Sequence, residues 1–325
     1  MNEKKELNQL KLKLLMRKKK KKIVIVRKNS MANLLELVKQ LRDQTGAGMM
    51  DCKKALEESD NDLEKAVDWL REKGIAKSVS REGRIAAEGL ANITVEGNSA
   101  VLIEINTETD FTARNERFKD LVKDVAAAIL VHKPATLEEA LALPTAEGTV
   151  SELISAVSFA TGEKMTLRRF EVVEKNDGQL FGQYVHHDGK TAAIVKLDGS
   201  NEEVGKPVAM QVASMKPQYV DRADMPQEIV EHETQVQTEI AKNDPKNANK
   251  PENIIEKMVT GRVAKALQEM CLVDQAFILD GNLKVGDYLK QNSMSVDSFV
   301  LYVVGEGIEK RKDCWVDEVN AALKQ

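Results

Sequence analysis

AVLIEINTETDFTARNERF, residues Ala100 to Phe118, holds the transition that decides how this chain folds. Its first seven residues are largely apolar, with β-branched members at the spacing of a strand, whereas the stretch from Thr107 is polar and runs into a helical pattern. Immediately upstream, LANITVEGNS alternates about Glu96-Gly97-Asn98, so the two runs together predict a β-hairpin. Downstream, a helix is predicted from about Glu116 to Val131. Thr109-Asp110-Phe111 stands at the junction. A phenylalanine at a strand exit either folds back into its own core or stands out as a wedge for a groove on another molecule, with Asp110 beside it fixing the polar register. The tripeptide alone leaves both readings open.

The same plan returns further along. FGQYVHHDGKTAAIVKL (181–197) makes two strands about His187-Asp188-Gly189-Lys190, and VGKPVAMQVASM (204–215) makes a helix. The core is therefore predicted as a duplicated hairpin-plus-helix. Between Pro226 and Leu267, Ile229, Val236 and Ile240, then Ile255, Val259, Val263 and Leu267, mark narrow apolar seams on two helices joined by KNDPKNANKPEN. That pattern predicts an antiparallel coiled-coil hairpin inserted in the core. The chain returns as strands, FVLYVVGEGI (299–308) being the clearest, and ends in a helix carrying Trp315, Val319 and Leu323 on one face.

Before the core, LLELVKQLRDQ (34–44) is amphipathic, TGAG ends it, and MMDCKKALEES (49–59) is a second helix. Asp60-Asn61 offers a cap for a third, DLEKAVDWLREKG, closing at Gly74. This unit resembles a ubiquitin-associated three-helix bundle. The expected class is α+β. Its divisions are a basic tail (1–30), the bundle (31–74), a linker (75–88), the first core half (89–175), the second (176–225), the coiled-coil hairpin (226–268), a return to the core (269–310) and a C-terminal helix (311–325).

The chain has 325 residues, 42% hydrophobic, 31% charged and 4% aromatic, which suits a helix-rich protein of more than one domain. The formal charge of −4 conceals a division. Residues 1–30 carry 12 Lys/Arg against 2 Asp/Glu, leaving 36 against 50 for the rest. The folded body is thus acidic, which argues against direct nucleic-acid binding by it. The Lys-rich tail reads as a solvated, disordered segment ahead of Met31 rather than an RNA-binding arm, a transit peptide or a membrane-surface helix. No apolar run approaches a membrane span. Three scattered cysteines match no ligand spacing and predict reduced thiols in a cytoplasmic setting; four histidines suggest no zinc site. No metal and no cofactor is implied.

Catalytic motifs are absent: there is no GxSxG, P-loop, GxGxxG, HExxH or CxxC. Asp110 and His186 would be the one acid–base pair to imagine, without a nucleophile to serve. Met49 and Met50 open a helix side by side, so both cannot face inward and one of them is expected as an exposed adhesive contact. Cys52 reads as a packed residue, His186 as a turn residue, and Trp69 and Trp315 as core.

TGAGMMDCKKAL (45–56) together with ETDF (108–111), supported by RRFE (168–171), KMVTGR (257–262) and GEGIEK (305–310), closely resembles the bacterial elongation factor Ts family. The likeness runs from Met31 to Gln325. It implies a nucleotide exchange factor, not an enzyme of covalent chemistry, acting on elongation factor Tu in its GDP-bound and nucleotide-free states. Carried over by motif, Arg42, Gly46, Met49, Met50 and Asp51 would bind the partner's nucleotide domain. Asp110 and Phe111 would press between two of its helices behind the magnesium and phosphate site, with Thr109 beside them in the partner-binding set, and Gly162 and His186 would face the partner from the core. The coiled-coil would contact the partner or a second copy, giving a homodimer.

Overall fold

The computed structural model of the chain describes residues 34–45, 47–79, 81, 83–247 and 250–309. The basic tail, Gly46 and the expected C-terminal helix lie outside the described residues. In order run α1 (34–45), α2 (Met49–Glu58), α3 (Leu63–Val79), β1 (Glu88–Glu96), β2 (Ser99–Thr107) and α4 (Asp110–Ala113). Then come α5 (Glu116–His132), α6 (Leu137–Ala142), β3 (Pro144–Thr145), β4 (Gly148–Thr149), α7 (Val150–Thr161), β5 (Met165–Glu174), β6 (Gln179–His186) and β7 (Thr191–Asp198). Last are α8 (Glu202–Met215), α9 (Gln227–Asn243), α10 (Glu252–Met270), β8 (Ala276–Phe277), β9 (Asp280–Lys284), α11 (Val285–Gln291) and β10 (Ser295–Val303). The class is mixed α and β. Two compact units are present: residues up to Gly83 with Glu152–Lys164, and Arg84–Ser151 with the chain from Met165 on.

In the first unit, Val38, Leu41, Ala47, Cys52, Ala55, Leu56, Ala66 and Leu70 form one core with Phe159 of α7. The α2–α3 turn departs from expectation. Asp60 and Asn61 both take positive φ (50° and 62°), and the cap is Asp62, whose Oδ1 accepts from the backbone N–H groups of Glu64 and Lys65. Short polar side chains tolerate the left-handed region, which is why these two can reverse the chain. Nor does the third helix close at Gly74. It continues to Val79 because Gly74 packs on Phe159, a Cβ there lying 3.5 Å from the phenylalanine's own. α7 thus joins the bundle, although its residues fall in the stretch 89–175 read from sequence as core.

The second unit is a stack of four layers. β1, β2 and β5 form one antiparallel sheet with β2 central; β10, β7 and β6 form another with β7 central. Side chains alternate across a strand. Ala100 and Leu102 of β2 meet Ala192 and Ile194 of β7 and Tyr302 of β10 between the sheets. The opposite face of β7, Ala193, Val195 and Leu197, packs on Val204, Val208 and Val212 of α8. α5 covers β1 and β2 in the corresponding way, burying Phe118, Leu121, Val125 and Ile129. The two helices are also built alike. Each opens on an asparagine whose side chain accepts from the second residue's N–H (Asn115, Asn201) and closes on a left-handed lysine (Lys133, Lys216, both φ 49°). The β1–β2 hairpin turns through Gly97-Asn98, with φ 56° at the glycine, as a two-residue hairpin turn requires.

A buried carboxylate ties the first sheet to the end of the second. Glu104 on β2 is fully buried and accepts from Arg168 Nη1 (3.1 Å), Arg169 Nε (2.7 Å), Asn106 Nδ2 (3.0 Å) and the Gly305 N–H (2.9 Å). Two adjacent residues reach one acceptor because the β2–β5 register slips there, setting Arg168 as the extra residue of a bulge. Burial pushes the Glu104 carboxyl up, but these donors outweigh it and hold the group below the usual range. Arg169 also lies over the Tyr302 ring at 4.1 Å.

α9 and α10 pack on each other as a helical hairpin through Ile229, Val230, Ala241, Ile255, Val259, Val263 and Leu267. Ile240 does not join that seam; it is half exposed, and Ala241 takes the buried place one residue on. The hairpin is closed at its neck, where Met270 O accepts from the N–H groups of Gln218 and Tyr219 and Tyr219 O accepts from Leu272 N. The strand expected over 299–308 ends at Val303, and Gly305 and Gly307 take φ of 74° and 75° in the turn that follows.

Candidate functional site

The Thr109–Phe111 turn is built so that the ring has nowhere to go but outward. Thr109 ends the extended strand (φ −125°, ψ 155°) and caps α4, its hydroxyl accepting from Thr112 N at 3.3 Å. Thr112 and Ala113 are the buried side of that single turn. Asn115 then caps α5, accepting from Arg117 N at 2.9 Å, so the turn is fixed at both ends. With 112 and 113 inward, Phe111 is left 80% exposed. Seven residues later Phe118, in α5, is 0% exposed. Asp110 sits beside the ring and pairs with Arg114 at 3.2 Å, a surface ion pair of roughly 0–1 kcal/mol. The bland alternative, Phe111 in its own core, is excluded by this geometry.

His186 closes β6. Its Nδ1 lies 3.1 Å from the Tyr184 hydroxyl, and the His187 ring meets it edge-on at 4.0 Å. His187, Asp188 and Gly189 then take φ of 48°, 51° and 93° in succession. Left-handed non-glycine residues cost about 1 kcal/mol or more each and persist only where surroundings hold them. Here β1 does so: a Cβ on Gly189 would lie 2.8 Å from Leu90 Cδ2. Asp110 and His186 are each engaged with other residues, Arg114 and Tyr184, and form no acid–base pair.

On the first unit, Thr45 and Ala47 ahead of α2 are fastened from within. Thr45 Oγ1 donates to Leu41 O (2.6 Å) and accepts from Ala47 N, and the buried Cys52 thiol donates to Ala47 O. Anchored this way, α2 starts with Met49 and Met50 both in solvent, 56% and 73% exposed. Both adjacent methionines, not one, face outward. Arg42 is exposed and Asp51 half-buried. Gly162 follows α7 with φ 80°, and a Cβ there would meet no atom within 4 Å, so it is the backbone angle that favours glycine. The sequence-predicted residues accordingly fall in two groups, Arg42, Met49, Met50, Asp51 and Gly162 on one unit and Thr109, Asp110, Phe111 and His186 on the other.

Burial pushes the thiols of Cys52 and Cys271 up, so neither is a ready nucleophile. Among the described residues no group of three or more His, Cys, Asp or Glu could hold a metal ion, and no helix is long and apolar enough to cross a membrane. A shallow cleft of about 410 Å³ is lined by Arg168 and Arg169, whose guanidinium groups are already committed to Glu104. Sequence reasoning missed the Glu104 cluster and the Lys190–Glu88 pair (2.6 Å) that fastens the histidine turn. A charged residue inside the apolar run AVLIEIN was the available signal for the first.

Two family models match the chain. One, described as Elongation factor Ts, mitochondrial, N-terminal, covers residues 22–78, beginning within the stretch 1–30 that the sequence reading set outside the likeness. The other, described as Elongation factor TS, covers residues 108–306, more than half of the chain. The bacterial branch and the cytoplasmic setting expected above are narrower than these matches establish. With the TGAGMMDC helix start and the outward TDF turn each inside a matched region, the chain belongs to the elongation factor Ts family.

Proposed function

We propose that the chain is a guanine nucleotide exchange factor for elongation factor Tu in translation elongation, and that Asp110-Phe111 acts as its wedge. A GTPase holds GDP through backbone N–H groups around the phosphates and a magnesium ion, so release is slow. An exchange factor need not touch the nucleotide. It must bind better to the GTPase in which that cradle is distorted, and the coupling is reciprocal: the factor weakens GDP as GDP weakens the factor. An apolar ring fits this task because its burial is gained only if two partner helices part.

The observation that carries the reading is the Phe111 ring held 80% in solvent by a capped turn whose neighbours are buried. A large apolar side chain fixed in that state gains by being covered. Met49 and Met50, with Arg42 and Asp51, would supply the grip on the nucleotide domain, and Gly162 and His186 further contact. The helical hairpin α9–α10 would add secondary contacts with the partner or a second copy as a coiled-coil.

Release of fluorescent GDP from elongation factor Tu tests the proposal. Substoichiometric chain should accelerate release catalytically, with no covalent change in either protein. Binding without acceleration would instead make the chain a helical-bundle adaptor.

A further inference from the structure

We infer that Lys190 is a positioning residue of the exchange surface, fastening the His186–Gly189 turn and the Thr109–Phe111 turn to one end of β1. The inference rests on the exchange reading above.

Both turns pack on β1. The Lys190 ammonium donates to Glu88 Oε2 at 2.6 Å and to Gly89 O at 3.3 Å. Glu88 in turn pairs in register with Thr107, and its carbonyl accepts from Asn106 Nδ2 at 3.1 Å. Thr109, the α4 cap, follows Thr107 by two residues. At Gly89 (φ 143°) a Cβ would lie 2.1 Å from Ile105 O, so glycine is what lets the start of β1 lie this close on β2. On the other side, Lys190 closes the turn that strings together three left-handed residues. Its N–H donates to His186 O at 3.1 Å, and its own carbonyl accepts from Val304 N at 3.0 Å. A turn in that conformation needs fastening from outside.

Fastening matters for a wedge. Phe111 parts two partner helices only if its own seat yields less than they do; on a loose seat the ring is pushed aside and its burial is gained without strain on the partner. Lys190 suits the task chemically, since a flexible four-carbon stem carries several donors that reach a carboxylate and a carbonyl together.

The test uses the full chain, elongation factor Tu and fluorescent GDP. Lys190→Met keeps the stem and removes the donors; it should lower the release rate at saturating chain about fivefold, a coupling ordinary for residues joined through one hydrogen-bond network, while the half-saturating concentration stays put. Lys190→Arg should restore most of the rate, and Glu88→Gln should reproduce the loss if Lys190→Met proves unstable. In a Phe111→Ala background, Lys190→Met should slow release less than about twofold, the remainder being its hold on the His186 turn. Lys190→Met matching the wild type, or slowing release equally with and without Phe111, overturns the assignment. Failure of the wild-type chain to accelerate release overturns the exchange reading and this inference together.

Discussion

Replacing Phe111 by alanine separates a side chain kept for a partner from one kept for the fold. At 80% exposure the ring contributes little to its own unit, and the change in folding stability should stay within about 0.5 kcal/mol. Fully burying a phenylalanine is worth about 1.5–3 kcal/mol, so covering the four-fifths now in solvent should contribute roughly 2 kcal/mol to the strained complex. That corresponds to about 30-fold in rate if the gain is confined to the complex with distorted nucleotide site. Phe118→Ala is the control: 0% exposed inside α5, it should cost about 3–5 kcal/mol of stability. Thermal unfolding and stopped-flow release of fluorescent GDP read the two effects. A Phe111→Ala protein that unfolds several degrees early, or one that exchanges GDP within twofold of wild type, would refute the wedge.

Met49→Ala and Met50→Ala should each weaken binding to elongation factor Tu about three- to tenfold by calorimetry with the melting temperature unchanged, since exposed side chains hold little of the fold. Glu104→Ala should cost about 3–5 kcal/mol, because it leaves two guanidinium groups facing a buried site without their carboxylate. The same group sets a pH dependence. Its folded pKa is lowered, so its stabilisation is complete above the ordinary carboxylate range and is lost as pH falls through that range toward the lower folded value. Denaturant titrations should therefore show wild-type stability declining below about pH 4.5, more steeply than for Glu104→Gln. Gly182→Ala should cost about 1–3 kcal/mol in a chemical-denaturation midpoint, because the added Cβ would lie 2.1 Å from Gly205 O and force α8 off β6.

Periodicity carried a large part of the architecture. The hairpin turning at Gly97-Asn98, the helix from Glu116 and the paired helices on either side of residues 244–251 could all be read from spacing, because each buries one face and leaves the other polar. The exits of elements were less legible. GEGI continues the composition of a strand, yet two glycines at positive φ turn it, and Asn61 looked like a cap until Asp62 proved to hold that place. Ile240 was misassigned because a four-residue step from Val236 and a five-residue step reach neighbouring positions, and only the facing helix decides between them. Short elements such as α6, β3 and β4 gave no periodic signal at all. For the site, the motifs pointed to Met49, Met50 and Phe111, while their exposure was an expectation that packing alone could decide. Lys190 lay unread because its partner Glu88 is 102 positions away, beyond anything local spacing reports.

The closed neck at Gln218, Tyr219, Met270 and Leu272 stitches the base of the long helical hairpin together where it leaves the layered body. Lengthening or trimming the two helices beyond that neck should therefore leave the register of the sheets unchanged, because their seam residues pack on each other.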